Sequence, residues 1–453
     1  MCTDPLFCFL GVIDSFYWSY IGFTVVVAIG IYFTIRSKFY QLKVLAHPIR
    51  TIKAVQKSSE GGDGISPFRV YFASVGGMVG LGNIVIVITS VSMGGPGSLF
   101  WLWVAAFFGS LIKYAEIYLG MKFRIDDGHE GHHGGPMIYL QRAFKHKVIS
   151  RAVSSLYCFL LAIYGVEISQ FVVVSDVLTD AIPLPSYLIL GGLLAVTIYG
   201  GFGGIRRLAN ISTVLMPPFI VVYLILCIYI IGLHIADLPF ILLDVVRSAF
   251  TGHAAVGGFA GSSMMMALQL GTQRAVYSGD LGIGYDSIIQ SESKARDPGT
   301  QACLSIFGVA TDALICTMSV LVVLVTGLWK IEIEACHAVS HAFSQFFPHT
   351  DIFMAVLIFI AGYTTLIAYL AVGEKAARWL FPKWGHRVYY AYAILAFIAF
   401  SQLNQCHAIT VMSLSGGLIM LTNLTGIWKL RYEISFESKL VQPKPRGKVG
   451  SES

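Results

Sequence analysis

Eleven stretches of this sequence are apolar over close to the roughly 20 residues a helix needs to cross a bilayer, and no water-soluble fold has a use for so many. They fall near residues 16–35, 68–93, 98–121, 152–179, 186–203, 210–232, 253–272, 300–327, 351–371, 388–404 and 406–428. The fifth and tenth are short, and the tenth and eleventh almost run together. Only 12% of the residues are charged, against about 25% in soluble domains. A surface that poor in charge is solvated by lipid, so the chain reads as an all-α integral membrane protein. The N-terminal "MCTDPLFCFLGVID" has acidic residues and no basic n-region, and the first span is expected to be retained.

Basic residues orient the spans. With the N-terminus outside, 28 of the 31 Lys and Arg, Arg274 among them, fall in loops on the inner side or in the tail. Arg247 and Lys330 lie outside, and Lys113 lies within a span. This is the positive-inside distribution, and it places the C-terminus in the cytoplasm of a multi-pass cell-membrane protein (the inner membrane, for a Gram-negative cell). The net charge of +6 therefore reports topology and contact with anionic lipid, with no nucleic acid implied. The segment 36–57 reads as an interfacial helix interrupted at Pro48. The tail from Glu433 is polar and expected to be disordered.

Enzyme chemistry finds little support. There is no GxSxG or P-loop. His129, His132 and His133, and separately Glu334, His337 and His341, have the residue types of metal sites but read as solvated loop residues. No cofactor is expected. The eight cysteines show no metal spacing; Cys158, Cys227, Cys303 and Cys316 fall in spans as small apolar fillers. Pairing of Cys336 with Cys406 is left open.

The informative anomaly is "GGMVGLGN" at 76–83, set inside the second stretch. Each glycine costs a helix roughly 1 kcal/mol relative to alanine. Broken backbone is tolerated at membrane depth only where it meets protein or lines a cavity, so the run predicts an unwound segment. Close helix packing is the alternative, but packing needs glycines on one face, and Gly76, Gly77, Gly80 and Gly82 surround the helix. A second break, "VGGFAGSSMMM", opens the seventh stretch. Each break begins a set of five spans, 68–232 and 253–428, preceded by an N-terminal span and basic segment (1–67) and followed by the tail (429–453). Five is odd, so the halves enter the membrane from opposite sides. Paired interruptions at corresponding positions point to a carrier's binding site. A channel would instead need charged or carbonyl rings.

The runs "VGLGNI", "GGPGSLFWLWVAAFFGSLIKYAE", "GGPMIYL", "VEISQ", "GGFAG", "TQRAVYSGDLGIG", "FGVATDALICTMSVLVVLVTG" and "AGYTTLIAYLAVGEK" follow one another over about residues 60–430. In that order they resemble the alanine or glycine:cation symporter family. The resemblance implies a five-plus-five inverted repeat of the leucine-transporter type with one extra N-terminal span. It also implies symport of a small neutral amino acid with sodium, by a protein that functions as a monomer. Alanine or glycine is the implied substrate, with serine and D-alanine left open.

Carried over by position, the resemblance implies that the amides of Leu81 and Gly82 meet the substrate carboxylate, while Gly80 admits the substrate to the backbone. Gln170 would hydrogen-bond the substrate or an adjacent helix. Phe259 and Gly261 would wall its side chain or simply pack, and Ser262 would receive its ammonium. Sodium would take the carbonyls of Gly76, Val79 and Ala361 and the hydroxyls of Thr364 and Thr365, since hard cations take oxygen ligands. Residues 361, 364 and 365 share a helical face, although membrane-helix threonines often bond their own preceding carbonyls. Asn83 would serve a second ion or brace the break. The chain departs from the family at Glu167, an intramembrane carboxylate open to proton coupling, to a polar substrate or to a buried partner such as Lys113. Gly279, Asp280 and Asp286 are expected near the inner gate, Asp312 matches a family aspartate, and Lys113 with Glu116 is expected to form a structural ion pair.

Overall fold

The computed structural model describes residues 5–126, 131–251, 264–330, 335–347, 350–401 and 405–436. Thirteen helices organise these residues. They are α1 (Pro5–Arg36), α2 (Pro67–Met78), α3 (Gly82–Gly94), α4 (Gly97–Lys122), α5 (Lys147–Tyr164), α6 (Ile168–Ala181) and α7 (Ser186–Gly201). They continue with α8 (Gly204–Leu233), α9 (Met264–Gly279), α10 (Pro298–Val325), α11 (Thr350–Leu380), α12 (Gly385–Phe400) and α13 (Gln405–Lys429). Among the described residues, 7 helices are long and apolar enough to cross a membrane, or 8 with the bent pair α2 and α3. The fifth expected span, α7, is apolar but only 16 residues long.

Local chemistry accounts for several helix ends. Pro67 opens α2 and Pro298 opens α10, positions where a missing N–H costs nothing. Asp297 caps α10 by accepting from the Thr300 amide at 2.9 Å. The basic segment folds as Tyr40–Leu45 and Pro48–Ser58, so Pro48 begins the second piece. A further helix, Leu238–Thr251, occupies a stretch where no span was expected.

α11 lies at the centre. Its apolar segment is 83% buried, against 33% for α8 at the lipid-facing rim. α11 packs on α2, α5, α6 and α8, while α4 packs on α1, α9 and α10. Between these groups run the break after α2 and the helix α9. The seventh expected span (253–272) runs further than expected at its described end, because helix α9 (Met264–Gly279) continues to Gly279 and carries "TQRAVYSG" inside the bundle. Arg274 therefore does not belong to an inner loop; it is buried on α9.

The ion pair expected between Lys113 and Glu116 is not formed. Lys113 Nζ donates to Asp280 Oδ2 at 2.5 Å and to the Asp280 carbonyl at 3.0 Å, and lies 3.5 Å from Asp286 Oδ2. Glu116 accepts from the Gly282 amide (3.0 Å) and Asn423 Nδ2 (3.1 Å). Both side chains face the segment after α9. Lys113 and Glu116 are three positions apart on the same helical face, and each finds a partner across the interface rather than the other. A buried charge without a partner is costly, and α4 thereby fixes the "SGDLGIGYD" turn from two directions.

Candidate functional site

The site is built around the break. α2 ends at Met78, Val79 leaves the helical conformation (φ −85°, ψ 87°), and the chain restarts at Gly82 with a π-helical turn bent 49° from α2. Two of the glycines are sterically required. A Cβ on Gly77 would lie 1.6 Å from Tyr285 Oη. One on Gly80 would lie 2.4 Å from Thr365 Oγ1 and 3.3 Å from Gln170 Oε1. Neighbours thus press on the break from several sides, as the spread of glycines around the helix predicts.

On one side stand the oxygens expected to hold an ion. Thr365 Oγ1 donates to the Gly76 carbonyl at 3.1 Å and to the Ala361 carbonyl at 3.0 Å, tying α11 to α2. Thr364 Oγ1 donates to the carbonyls of Ala361 (3.0 Å) and Ile360 (2.9 Å). Gly76, Ala361, Thr364 and Thr365 therefore form one hydrogen-bonded oxygen cluster across two helices. Val79 lies at the non-helical end of α2, three residues beyond Gly76.

On the other side lies a cavity of about 50 Å³, lined by residues that include Gly77, Gly82, Glu167, Gln170, Arg274, Ser278 and Thr365. By general cavity-to-water ratios this holds roughly three to five water-sized groups. Gln170 lines this cavity and is already engaged, since its Oε1 accepts from the Leu81 amide at 3.1 Å. The Leu81 amide is thus not free, and a substrate carboxylate reaching it would have to displace Gln170. Glu167 marks a local interruption inside the span expected over 152–179, which runs as one segment from Lys147 to Ala181. α5 ends at Tyr164, and Glu167 caps α6 in the left-handed region (φ 49°, ψ 50°). Non-glycine residues take that conformation at a cost and often at functional positions. Lys113, engaged with Asp280, is not its partner.

Asn83 faces away from the cavity. Its Oδ1 accepts from the Gly80 amide at 3.1 Å, and its Nδ2 donates to Asp312 Oδ1 at 2.5 Å. Ser278 Oγ completes the Asp312 carboxylate at 2.9 Å. One amide thus links the break to α10, and α10 is linked in turn to α9. Asn83→Ala is expected to destabilise the protein by about 1–3 kcal/mol, the cost of leaving a buried polar group unsatisfied. A lowered melting temperature in detergent checks it.

Phe259, Gly261 and Ser262 lie outside the described residues, as do His129 and Glu334 and the side chains of His337, Cys336 and Cys406. Among the described residues no group of three or more His, Cys, Asp or Glu is placed to hold a metal. His132 instead lies 3.1 Å from Asp126 on the ribbon joining α4 to the next short helix, and burial lowers its pKa. Arg274 is the charged cavity residue that sequence reasoning missed. The missed signal was an arginine flanked by the small residues of "GTQRAVYSG", with no turn residue between it and the span.

A bundle of membrane-length helices with a polar cavity against a broken helix defines a membrane transport protein, and known proteins agree. The structure of a Na+-coupled sialic acid symporter in a substrate-bound outward-open state superposes with a TM-score of 0.54 at 15% identity, covering 92% of this chain and 86% of that one. That likeness concerns the fold alone. The chain belongs to the sodium:alanine symporter family, whose profile matches residues 5–440. Relatives include the sodium/alanine symporter AgcS of Methanococcus maripaludis, 28% identical over 85% of this chain and 86% of its own. The probable sodium/glutamine symporter GlnT of Bacillus subtilis is 27% identical over 93% and 87%.

Proposed function

We propose that this protein imports a small neutral amino acid by symport with sodium, alanine or glycine first, with serine and D-alanine as further candidates. The observation that carries the proposal is the Thr365 hydroxyl bridging the Gly76 and Ala361 carbonyls, with the cavity immediately beside it. A hydroxyl that donates to two carbonyls occupies the place where a cation would take the same oxygens. When sodium arrives, Thr365 turns a lone pair inward, and the two helices stay joined through the ion. Val79 and Thr364 complete the oxygen shell. The small cavity volume supports a small substrate.

Ion and substrate share the broken segment, so ordering it for one lowers the cost of binding the other. That is a coupling free energy, and it is reciprocal. Substrate would approach the backbone at Gly80 and Gly82, with Gln170 exchanging its bond to Leu81 for one to the substrate. Phe259, Gly261 and Ser262 on the second broken helix would close the pocket. Asn83, engaged on both amide atoms, acts in this reading as a brace rather than as a ligand of a second ion. We place eleven spans in the membrane as two inverted five-span halves, 68–232 and 253–428, after a leading unit of residues 1–67 and ahead of the tail at 429–453. The N-terminus lies outside, the C-terminus in the cytoplasm, and the monomer is the working unit. Counterflow tests the carrier reading directly. Proteoliposomes preloaded with unlabelled alanine should transiently concentrate labelled alanine, whereas a channel or an inert protein will only equilibrate it.

One observation favours a second reading. Glu167 is 5% exposed and borders the cavity, so a proton could replace sodium as the coupling ion. In that case an inward proton gradient alone drives accumulation, and Glu167→Gln abolishes it. Under sodium coupling a proton gradient alone drives none, in the wild type or in the variant, and whatever uptake Glu167→Gln retains still requires sodium.

A further inference from the structure

Arg274 is a cation sealed inside the bundle. It is 8% exposed and borders the cavity from α9, and its Nε has no hydrogen-bond partner among the described residues. Its Nη1 lies 3.6 Å from where a Cβ on Gly82 would stand, beside the first residue of the helix that restarts after the break. A helix start favours an anion, and a buried guanidinium is costly until it has one. Glu167 borders the same cavity from the interruption between α5 and α6. No ion pair joins it to Arg274 among the described residues, so the two opposite charges face the same space without direct contact. Asp312 meets α9 at Ser278, one turn along the same face from Arg274, and is satisfied by Asn83 and Ser278. The amide of Leu81 is taken by Gln170.

We propose that Arg274 is the principal anchor of the substrate carboxylate, acting with the helix start at Gly82, and that Glu167 across the cavity receives the substrate ammonium. This rests on the amino-acid symport reading and deepens it. The cavity then carries one positive and one negative group and matches a zwitterion, charge for charge. An amine lacking the carboxylate would leave Arg274 buried and unpaired, and an acid lacking the ammonium would leave Glu167 so. The specificity is therefore for the complete α-amino-acid backbone, enforced by what each incomplete analogue leaves unsatisfied. A guanidinium–carboxylate contact can be bidentate, which a lysine cannot reproduce.

The test compares L-alanine with L-alaninamide, in which a neutral amide replaces the carboxylate, as competitors of sodium-driven labelled alanine uptake in proteoliposomes. If glycine, serine or D-alanine is better carried, that amino acid and its primary amide serve instead. In the wild type the amide should compete about 100-fold or more weakly than the acid. In Arg274→Gln the KM for the amino acid should rise about tenfold or more, while the amide's inhibition constant stays within about twofold. Arg274→Lys should fall between the two. A wild type that does not distinguish acid from amide would overturn the proposal even if Arg274→Gln fails to fold. So would a folded Arg274→Gln with an unchanged KM, or one in which acid and amide weaken equally. Should the wild type take up none of the four amino acids, the symport reading itself fails and this inference falls with it. Uptake that survives with Arg274 indifferent removes the inference alone.

Discussion

Replacing Thr364 and Thr365 together by alanine is expected to raise the sodium concentration for half-maximal uptake by about 10- to 100-fold, with the protein still folded. Hydrogen bonds or oxygen contacts to a charged group are worth about 1.5–3 kcal/mol, and about 1.4 kcal/mol is a factor of ten. Thr365 should carry most of the effect, because it reaches both α2 and α11, whereas both carbonyls accepting from Thr364 belong to its own helix. The single Thr364→Ala should therefore shift sodium dependence less than Thr365→Ala. Substrate KM at saturating sodium should change little. Measuring uptake against sodium at several alanine concentrations separates the two effects. A folded double variant with wild-type sodium dependence would remove the ion assignment.

Gly80→Ala is expected to abolish transport. Its Cβ would stand 2.4 Å from Thr365 Oγ1, a contact that real side chains do not make, and 3.3 Å from Gln170 Oε1. Neither neighbour is free to give. Thr365 is held to two carbonyls, and Gln170 is held to the next amide in the break. One methyl group therefore disturbs the ion side and the cavity side together. Sodium affinity and alanine affinity should fall in the same variant, each by about tenfold or more if a contact worth roughly 1.4 kcal/mol is lost on each side. Sodium and alanine titrations of thermal stability in the purified variant read this without requiring transport. Loss of alanine binding with intact sodium binding would mean that Thr365 is not part of the ion site.

Much of this was legible in the sequence for physical reasons. Apolar length and the distribution of Lys and Arg announce membrane helices because lipid solvates nothing else. The break at 76–83 was legible because glycines on every face of a helix cannot be explained by packing against one neighbour. Thr364 and Thr365 could be placed with Ala361 because helical spacing alone puts them together. What failed to show was partner choice. Lys113 and Glu116, three residues apart, read as a pair, yet each finds a better partner in the turn after α9 or on α13. Arg274 was counted as a loop residue because a charge normally marks the end of a span. Only the three-dimensional neighbourhood reveals that a cavity accommodates it. The interruption at Glu167 was hidden as well, since a single glycine at 165 is an ordinary residue in a membrane helix. The Leu81–Gln170 bond joins positions 89 residues apart, a separation over which no periodicity speaks.

Uptake of labelled alanine into proteoliposomes, with sodium and proton gradients imposed separately, tests the central claim most directly. The account predicts accumulation above equilibrium with an inward sodium gradient alone, and none with an inward proton gradient alone. Accumulation driven only by protons would contradict it and make Glu167, rather than the Thr365 cluster, the seat of coupling.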